Sequence, residues 1–178
     1  MSGDRKNESY RFLAEATLGK LAKWLRLLGF DTCYHRGGRL DDVDQECLQH
    51  RILLTRTRRT AERFAGHPVV YIQEDRAEDQ LEEVVSALAL SRKDLKPFSR
   101  CLRCNRSTRP VSRQKVRGKV PDYVWQTAQR FTSCEGCKRI YWPGSHTDRA
   151  LDRIRALFPE DSPGDDTPMR HRSDGNNR

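Results

Sequence analysis

Four cysteines fall into two pairs of the same spacing, Cys101-x-x-Cys104 and Cys134-x-x-Cys137, with 29 residues between the pairs. Two such knuckles bring four thiolates to one tetrahedral centre, and four-sulfur ligation leaves no open position for a reactive water. The expected ion is Zn²⁺, and its task is folding, not catalysis. Disulfides do not persist in a reducing compartment, and a redox Cys-x-x-Cys normally appears once, at a strand–helix junction. His146 is a spare ligand candidate, with a hydrogen-bonded structural role as its alternative. Cys33 and Cys47 sit inside apolar runs and read as inert core thiols.

A second set is acidic: Glu15, the cluster Asp41, Asp42 and Asp44, and Asp75. Carboxylates at strand ends can gather Mg²⁺ or Mn²⁺, which activate a water and stabilise the attacking and leaving oxygens of a phosphodiester. Each acid also has a structural alternative. Asp75 can cap the helix after it, Asp41 or Asp42 can cap a helix before Ile52, and Glu15 can pair with a lysine. Lys20, Lys23 and Arg26, three apart, place a basic stripe beside Glu15, and Arg56 and Arg58 follow the next buried strand.

Charge is concentrated in the middle of the chain. Of the net +9, the first 98 residues carry only +1, whereas Ser99 to Phe131 holds nine Lys and Arg against one acid. That block includes Arg103, Arg106, Arg109, Arg113, Lys115, Arg117 and Lys119. A basic block of this density is the footprint of a polyanion site, since each cation that meets a phosphate releases counterions. Its alternative is a solvated basic face. Tyr123, Trp125 and Trp142 are candidate stacking surfaces for bases, with core packing as the other use.

The elements that must position these groups follow from periodicity. Arg11 to Ala14 is an apolar strand ending at Glu15, and Leu18, Leu21, Ala22, Leu25 and Leu28 form the face of the helix after it. Thr17 is the expected N-cap of that helix and Gly29 its expected stop. Strands are also expected over Phe30–His35, Ile52–Thr55 and Val69–Ile72. Helices alternate with them, the clearest carrying Leu81, Val84, Val85 and Leu88 on one face. Alternation of this kind gives an α/β fold, a parallel sheet flanked by helices. The expected organisation is a flexible N-terminus over 1–10, an α/β domain over 11–97, a zinc ribbon with a C-terminal helix over 98–158 and a disordered tail over 159–178. No apolar run suits a membrane span and no apolar leader opens the chain, so an intracellular protein of cytoplasm or nucleus is expected.

Several motifs in order also carry a resemblance. Arg11-Phe12-Leu13-Ala14, Leu18-Gly19-Lys20-Leu21-Ala22, Trp24-Leu25-Arg26-Leu27-Leu28-Gly29, Leu53-Leu54-Thr55-Arg56, Gln80-Leu81, Ser99-Arg100-Cys101-x-x-Cys104-Asn105 and Tyr141-Trp142-x-Gly144-Ser145-His146 together resemble the Mut-seven C-terminal RNase domain family. The resemblance covers roughly Arg11 to Ile154 and implies a PIN-like nuclease sheet followed by a zinc ribbon. In animals it is similar to the end of larger exonuclease homologues, which leaves open membership of a longer exonuclease polypeptide.

The resemblance implies a metal-dependent ribonuclease acting on RNA or another single-stranded nucleic acid. Glu15, Asp42 or Asp44, and Asp75 would hold Mg²⁺ or Mn²⁺, while Lys20, Lys23, Arg56 and Arg58 steady phosphates. Two positions depart from the family pattern. Glu15 stands where the family ends its first strand in aspartate, and Thr57 stands where it reads Leu-Leu-Thr-Arg-Asp. Thr57 keeps a hydroxyl able to cap its helix but loses an anionic ligand. The alternative is a catalytically inactive RNA-binding module that uses the basic ribbon. A protein–protein scaffold would leave the basic block unexplained.

Overall fold

A computed structural model of the chain describes residues 10–37 and 48–159, apart from the side chain of His146. The expectations placed on Asp41, Asp42, Asp44, Cys47, that histidine side chain, the first nine residues and the tail from 160 onward lie outside the described residues.

Four parallel strands form the main sheet: β1 (Arg11–Ala14), β2 (Asp31–Tyr34), β3 (Ile52–Thr55) and β4 (Val69–Tyr71), in the order β2-β1-β3-β4. The chain leaves β1 in one direction to form β2 and then returns to β1's other side for β3. Strand order therefore reverses between β1 and β3. In open parallel sheets, the carboxyl ends flanking such a reversal form a crevice where ligands bind.

Side chains alternate across the sheet as a period of two requires. Phe12, Ala14 and Leu54 join the larger core with Leu21, Leu25 and Leu28 of α1 (Gly19–Leu27) and with Leu81 and Val84 of a later helix, Ala77–Ala87. Leu13 and Leu53 face the other way, into a smaller cluster with Leu48. A fully buried leucine of this kind contributes about 2 kcal/mol. The helix after β3 is α2 (Arg58–Arg63), and Ala77–Ala87 is α3, packed against α1.

Gly29 ends α1 with φ of +99°, the left-handed conformation that glycine adopts without strain. A Cβ there would run into the Lys96 carbonyl. The linker beyond α3 lies across this helix end: Lys96 and Phe98 donate their N–H groups to the carbonyls of Leu28 (2.9 Å) and Leu27 (2.8 Å). Carbonyls that a helix end leaves unpaired are thus satisfied by the segment leading into the cysteines.

The ribbon is a three-stranded antiparallel sheet of β5 (Thr108–Val111), β6 (Phe131–Cys134) and β7 (Ile140–Tyr141), with α4 (Arg113–Val116) and α5 (Asp122–Thr127) between β5 and β6. Val116, Val120, Val124 and Phe131 form its small core. The last helix, α6 (Ser145–Leu157), packs back on the larger core, which Ile154 and the following Phe158 enter, and Arg153 pairs with Glu82.

Candidate nucleic-acid groove and metal centre

Glu15 follows β1 at the strand-order reversal and is 8% exposed. One carboxylate oxygen accepts the Arg56 backbone N–H at 2.6 Å and the Thr17 hydroxyl at 3.2 Å. The other accepts the Thr55 hydroxyl at 2.6 Å. A buried charge is stable only when its lone pairs are met, and three of about four lone-pair sites are used. Among the described residues, neither the alternative lysine partner of Glu15 nor the expected Thr17 cap forms. The Thr17 hydroxyl turns back to Glu15, because Glu15 itself occupies the extended N-cap position of the short 3₁₀ turn that precedes α1.

Arg56 spans the site. Its backbone is bonded to Glu15, and its guanidinium pairs with the exposed carboxylate of Asp75. Glu15 and Asp75 thus share one end of the sheet but are separated by a cation. Asp75 does not cap the next helix, whose N-cap is Arg76. Thr57 sits at the N-cap of α2 without a side-chain cap bond; instead its N–H donates to the Thr55 hydroxyl at 3.0 Å. His35, one residue past the Ala14–Tyr34 pair, was given no role by its sequence position. Its N–H bonds the Ala14 carbonyl (2.9 Å), and its Nε2 is buried with no hydrogen-bond partner among the described residues.

The four knuckle sulfurs meet: the Sγ atoms of Cys101, Cys104, Cys134 and Cys137 all lie within 4.8 Å of one another. Each knuckle is closed by a residue of positive φ immediately after its second cysteine, Asn105 (+68°) and Lys138 (+58°). Backbone N–H groups of Cys104 and Gly136 donate to the sulfurs of Cys101 and Cys134 at 3.4 and 3.3 Å. Burial opposes ionisation of Cys101, yet the Tyr141 hydroxyl and the N–H groups of Cys104 and Arg103 bring its thiol down to about 6. Burial pushes Cys134 up to about 11. Such a cluster can hold a tetrahedral metal such as zinc, and binding would release the thiol protons.

Between the strand ends and the first knuckle runs a groove of about 1540 Å³. It is lined by two acidic residues and by seven basic ones that are not buried, among them Lys20 and Lys23 from α1, Arg56 after β3, Arg76 at the start of α3, and Arg103 and Arg139 from the ribbon; Arg26 also borders it but is buried. The knuckle is held in place by Asp31, Asn105 and Arg26. Asp31 accepts from Arg51 (2.8 Å) and from the Asn105 amide (2.6 Å), and lies 3.7 Å from Arg100. Burial opposes ionisation of Asp31, but these donors and charges bring its carboxyl below the usual aspartate range.

A family model, the Mut7-C RNAse domain, matches residues 10–154, most of the chain. The chain belongs to the Mut7-C RNAse domain family. The fold is accordingly the PIN-like one, a parallel sheet flanked by helices with a four-cysteine ribbon beside it. Comparison with the curated proteins and with the solved structures returned no significant match. Membership in this family gives the Mut7-C chain a nuclease-like, nucleic-acid-processing role. No helix among the described residues is long and apolar enough to cross a membrane.

Not every cation assigned from the Mut7-C sequence faces the groove. Lys20, Lys23, Arg56 and Arg103 line it; Arg58 instead pairs with Glu62 one helical turn on (3.1 Å). Arg26 does not extend the basic stripe of α1. It is buried, with Nε on the Thr32 carbonyl (2.9 Å) and Nη1 on the carbonyls of Leu102 (3.0 Å) and Arg103 (3.2 Å). Burial lowers its pKa, while the sulfurs of Cys33, Cys101 and Cys104 act the other way. Farther along the ribbon, Arg109 pairs with Glu135, and Arg106 packs against Gly136. The guanidinium carbons of Arg113 and Arg117 lie 4.6 and 5.2 Å from the Trp125 ring centroid. Trp125 is therefore clasped within the ribbon; Tyr123, Lys115 and Lys119 remain exposed.

The donor sets fit the two implied metals differently. Four clustered thiolates suit zinc. The described acids do not suit Mg²⁺ or Mn²⁺: Glu15 has one lone-pair site left, Thr57 brings no charge, and the Arg56 guanidinium is paired with Asp75 where a divalent cation would need anions.

Proposed function

We propose that this Mut7-C domain grips single-stranded RNA along the groove, as a nucleic-acid-processing domain whose own metal-dependent hydrolysis is lost or nearly so. The observation that carries this reading is the cationic lining shared by both halves of the groove, with Lys20, Lys23 and Arg56 on the α/β side and Arg103 on the ribbon side. Phosphates spaced along a strand are attracted to such a channel without reading sequence. The ribbon's ion is zinc in this account, and its role is structural. A grip of this kind serves a catalytic unit elsewhere, such as an exonuclease domain of the same polypeptide, and the compartment that goes with this reading is the cytoplasm or nucleus.

One observation favours a second reading, a Mg²⁺- or Mn²⁺-dependent ribonuclease using Glu15 with Asp42 or Asp44 and Asp75. Glu15 stands at the strand-order reversal, where the sheet directs ligands. The two readings separate on single-stranded RNA incubated with Mn²⁺. The gripping account expects the wild-type chain to bind without cutting, Thr57→Asp to gain Mn²⁺-dependent cleavage, and Glu15→Gln to remove that gain. Wild-type cleavage abolished by Glu15→Gln would establish the enzyme instead.

A further inference from the structure

We propose that Asn105 and Arg26 are positioning residues for RNA binding, holding the first cysteine knuckle against the α/β layer so that Arg103 forms a fixed wall of the groove. The inference rests on the groove reading above and adds to it which residues set the groove's width. Arg103 lies inside the Cys101–Cys104 knuckle, is exposed, and lines the groove together with Lys20 and Lys23 of α1. Beyond the backbone bonds that tie Lys96 and Phe98 to α1, the bonds that hold the knuckle itself to the α/β layer among the described residues come from side chains crossing between the two halves.

Asn105 is the first of them. Its amide oxygen accepts the Thr32 backbone N–H at 3.0 Å, so the knuckle pairs with the outer edge of β2 as a short strand would. Its amide nitrogen donates to Asp31 at 2.6 Å. Asn105 combines the positive φ that closes the knuckle with a side chain bonded to β2. Arg26 is the second. Only 7% exposed, it bridges three backbone carbonyls, Thr32 on the sheet side and Leu102 and Arg103 on the knuckle side. A guanidinium buried in this way is held by planar, multiply bonded geometry that a lysine would not reproduce. The carbonyl of Arg103 is thus tied down while its side chain stays exposed to the groove.

A wall set in place before binding spares the ordering cost that a mobile side chain incurs when it meets its ligand. If Asn105 acts through Arg103, losing the amide should remove most of what Arg103 contributes and leave the contribution of Lys20 intact. Asn105→Gly is the variant of choice, since glycine keeps the positive φ and deletes only the amide.

The test is a double-mutant cycle on the full chain with a labelled single-stranded RNA of about ten nucleotides. Asn105→Gly should weaken binding about fivefold, and Arg103→Ala should cost about as much in the wild-type background but under about twofold in the Asn105→Gly background. Lys20→Ala should cost the same factor in both. Cobalt substitution, read by its thiolate charge-transfer band, should show the four-sulfur centre unchanged in Asn105→Gly. Equal effects of Arg103→Ala in both backgrounds would overturn the proposal, as would loss of the cobalt signature, which would assign Asn105 to building the centre. If Lys20→Ala weakens binding and Arg103→Ala does not, the groove reading stands and this inference falls. If both are silent in the wild type, the groove reading fails and takes the inference with it.

Discussion

The Thr55 hydroxyl donates to the Glu15 carboxylate at 2.6 Å, joining the end of β3 to the end of β1 at the point where strand order reverses. With the Arg56 N–H and the Thr17 hydroxyl, this bond makes the Glu15 carboxylate a bracket between strands. Thr55 is fully buried, so no water replaces its hydroxyl if it is removed. Thr55→Val, of nearly the same shape, should destabilise the fold by about 2 kcal/mol by leaving a carboxylate oxygen without its donor. Urea unfolding checks this, with a fall in midpoint at constant slope as the expected result.

Gly29 offers a backbone prediction. Its φ of +99° and the Lys96 carbonyl at its Cβ position leave no room for a side chain. Gly29→Ala should cost about 2 kcal/mol or more, through both left-handed strain and displacement of the linker. Because that linker leads to Cys101, exchange of the Lys96 and Phe98 amides, which bond α1, should accelerate more than that of β4.

Asp31 supplies the pH dependence. Its carboxyl is held below the usual value of 3.8 against the opposing effect of burial, chiefly by the bonds from Arg51 and Asn105. A depressed acid stabilises the fold above the unfolded-state pKa, and that stability is lost as pH falls through the lower folded-state value. The Asp31 contribution to docking of the ribbon should therefore be flat with pH near neutrality and weaken below about pH 4. Asp31→Asn should make the fall in thermal stability below about pH 4 shallower and lower stability at pH 7 by about 2 kcal/mol.

Periodicity and spacing carried much of this architecture, for reasons that can be located. Phe12, Leu13, Leu53 and Leu54 are consecutive apolar residues because their strands are buried on both faces, and the α1 leucines recur at helical spacing because one side packs on that sheet. The cysteine pairs were legible because ligand geometry imposes their spacing. Arg26 was not: at three residues from Lys23 it matches an exposed basic stripe, and only the carbonyls of Leu102 and Arg103, more than 70 residues away, explain its burial. The roles of Asn105 and Arg56 were hidden likewise, since their partners Thr32, Asp31 and Glu15 are distant in sequence. Thr17 was misread as a cap because capping rules weigh a hydroxyl against the backbone and not against a nearby buried carboxylate.

The most direct test of the central claim is the salt dependence of single-stranded RNA binding by the wild-type chain, Lys23→Ala and Arg56→Ala. For a groove that seats phosphates, log affinity should fall linearly with log salt, and each substitution should flatten the slope by about 0.7 for each contact removed. A salt-independent affinity, or slopes unchanged in both variants, would contradict the account.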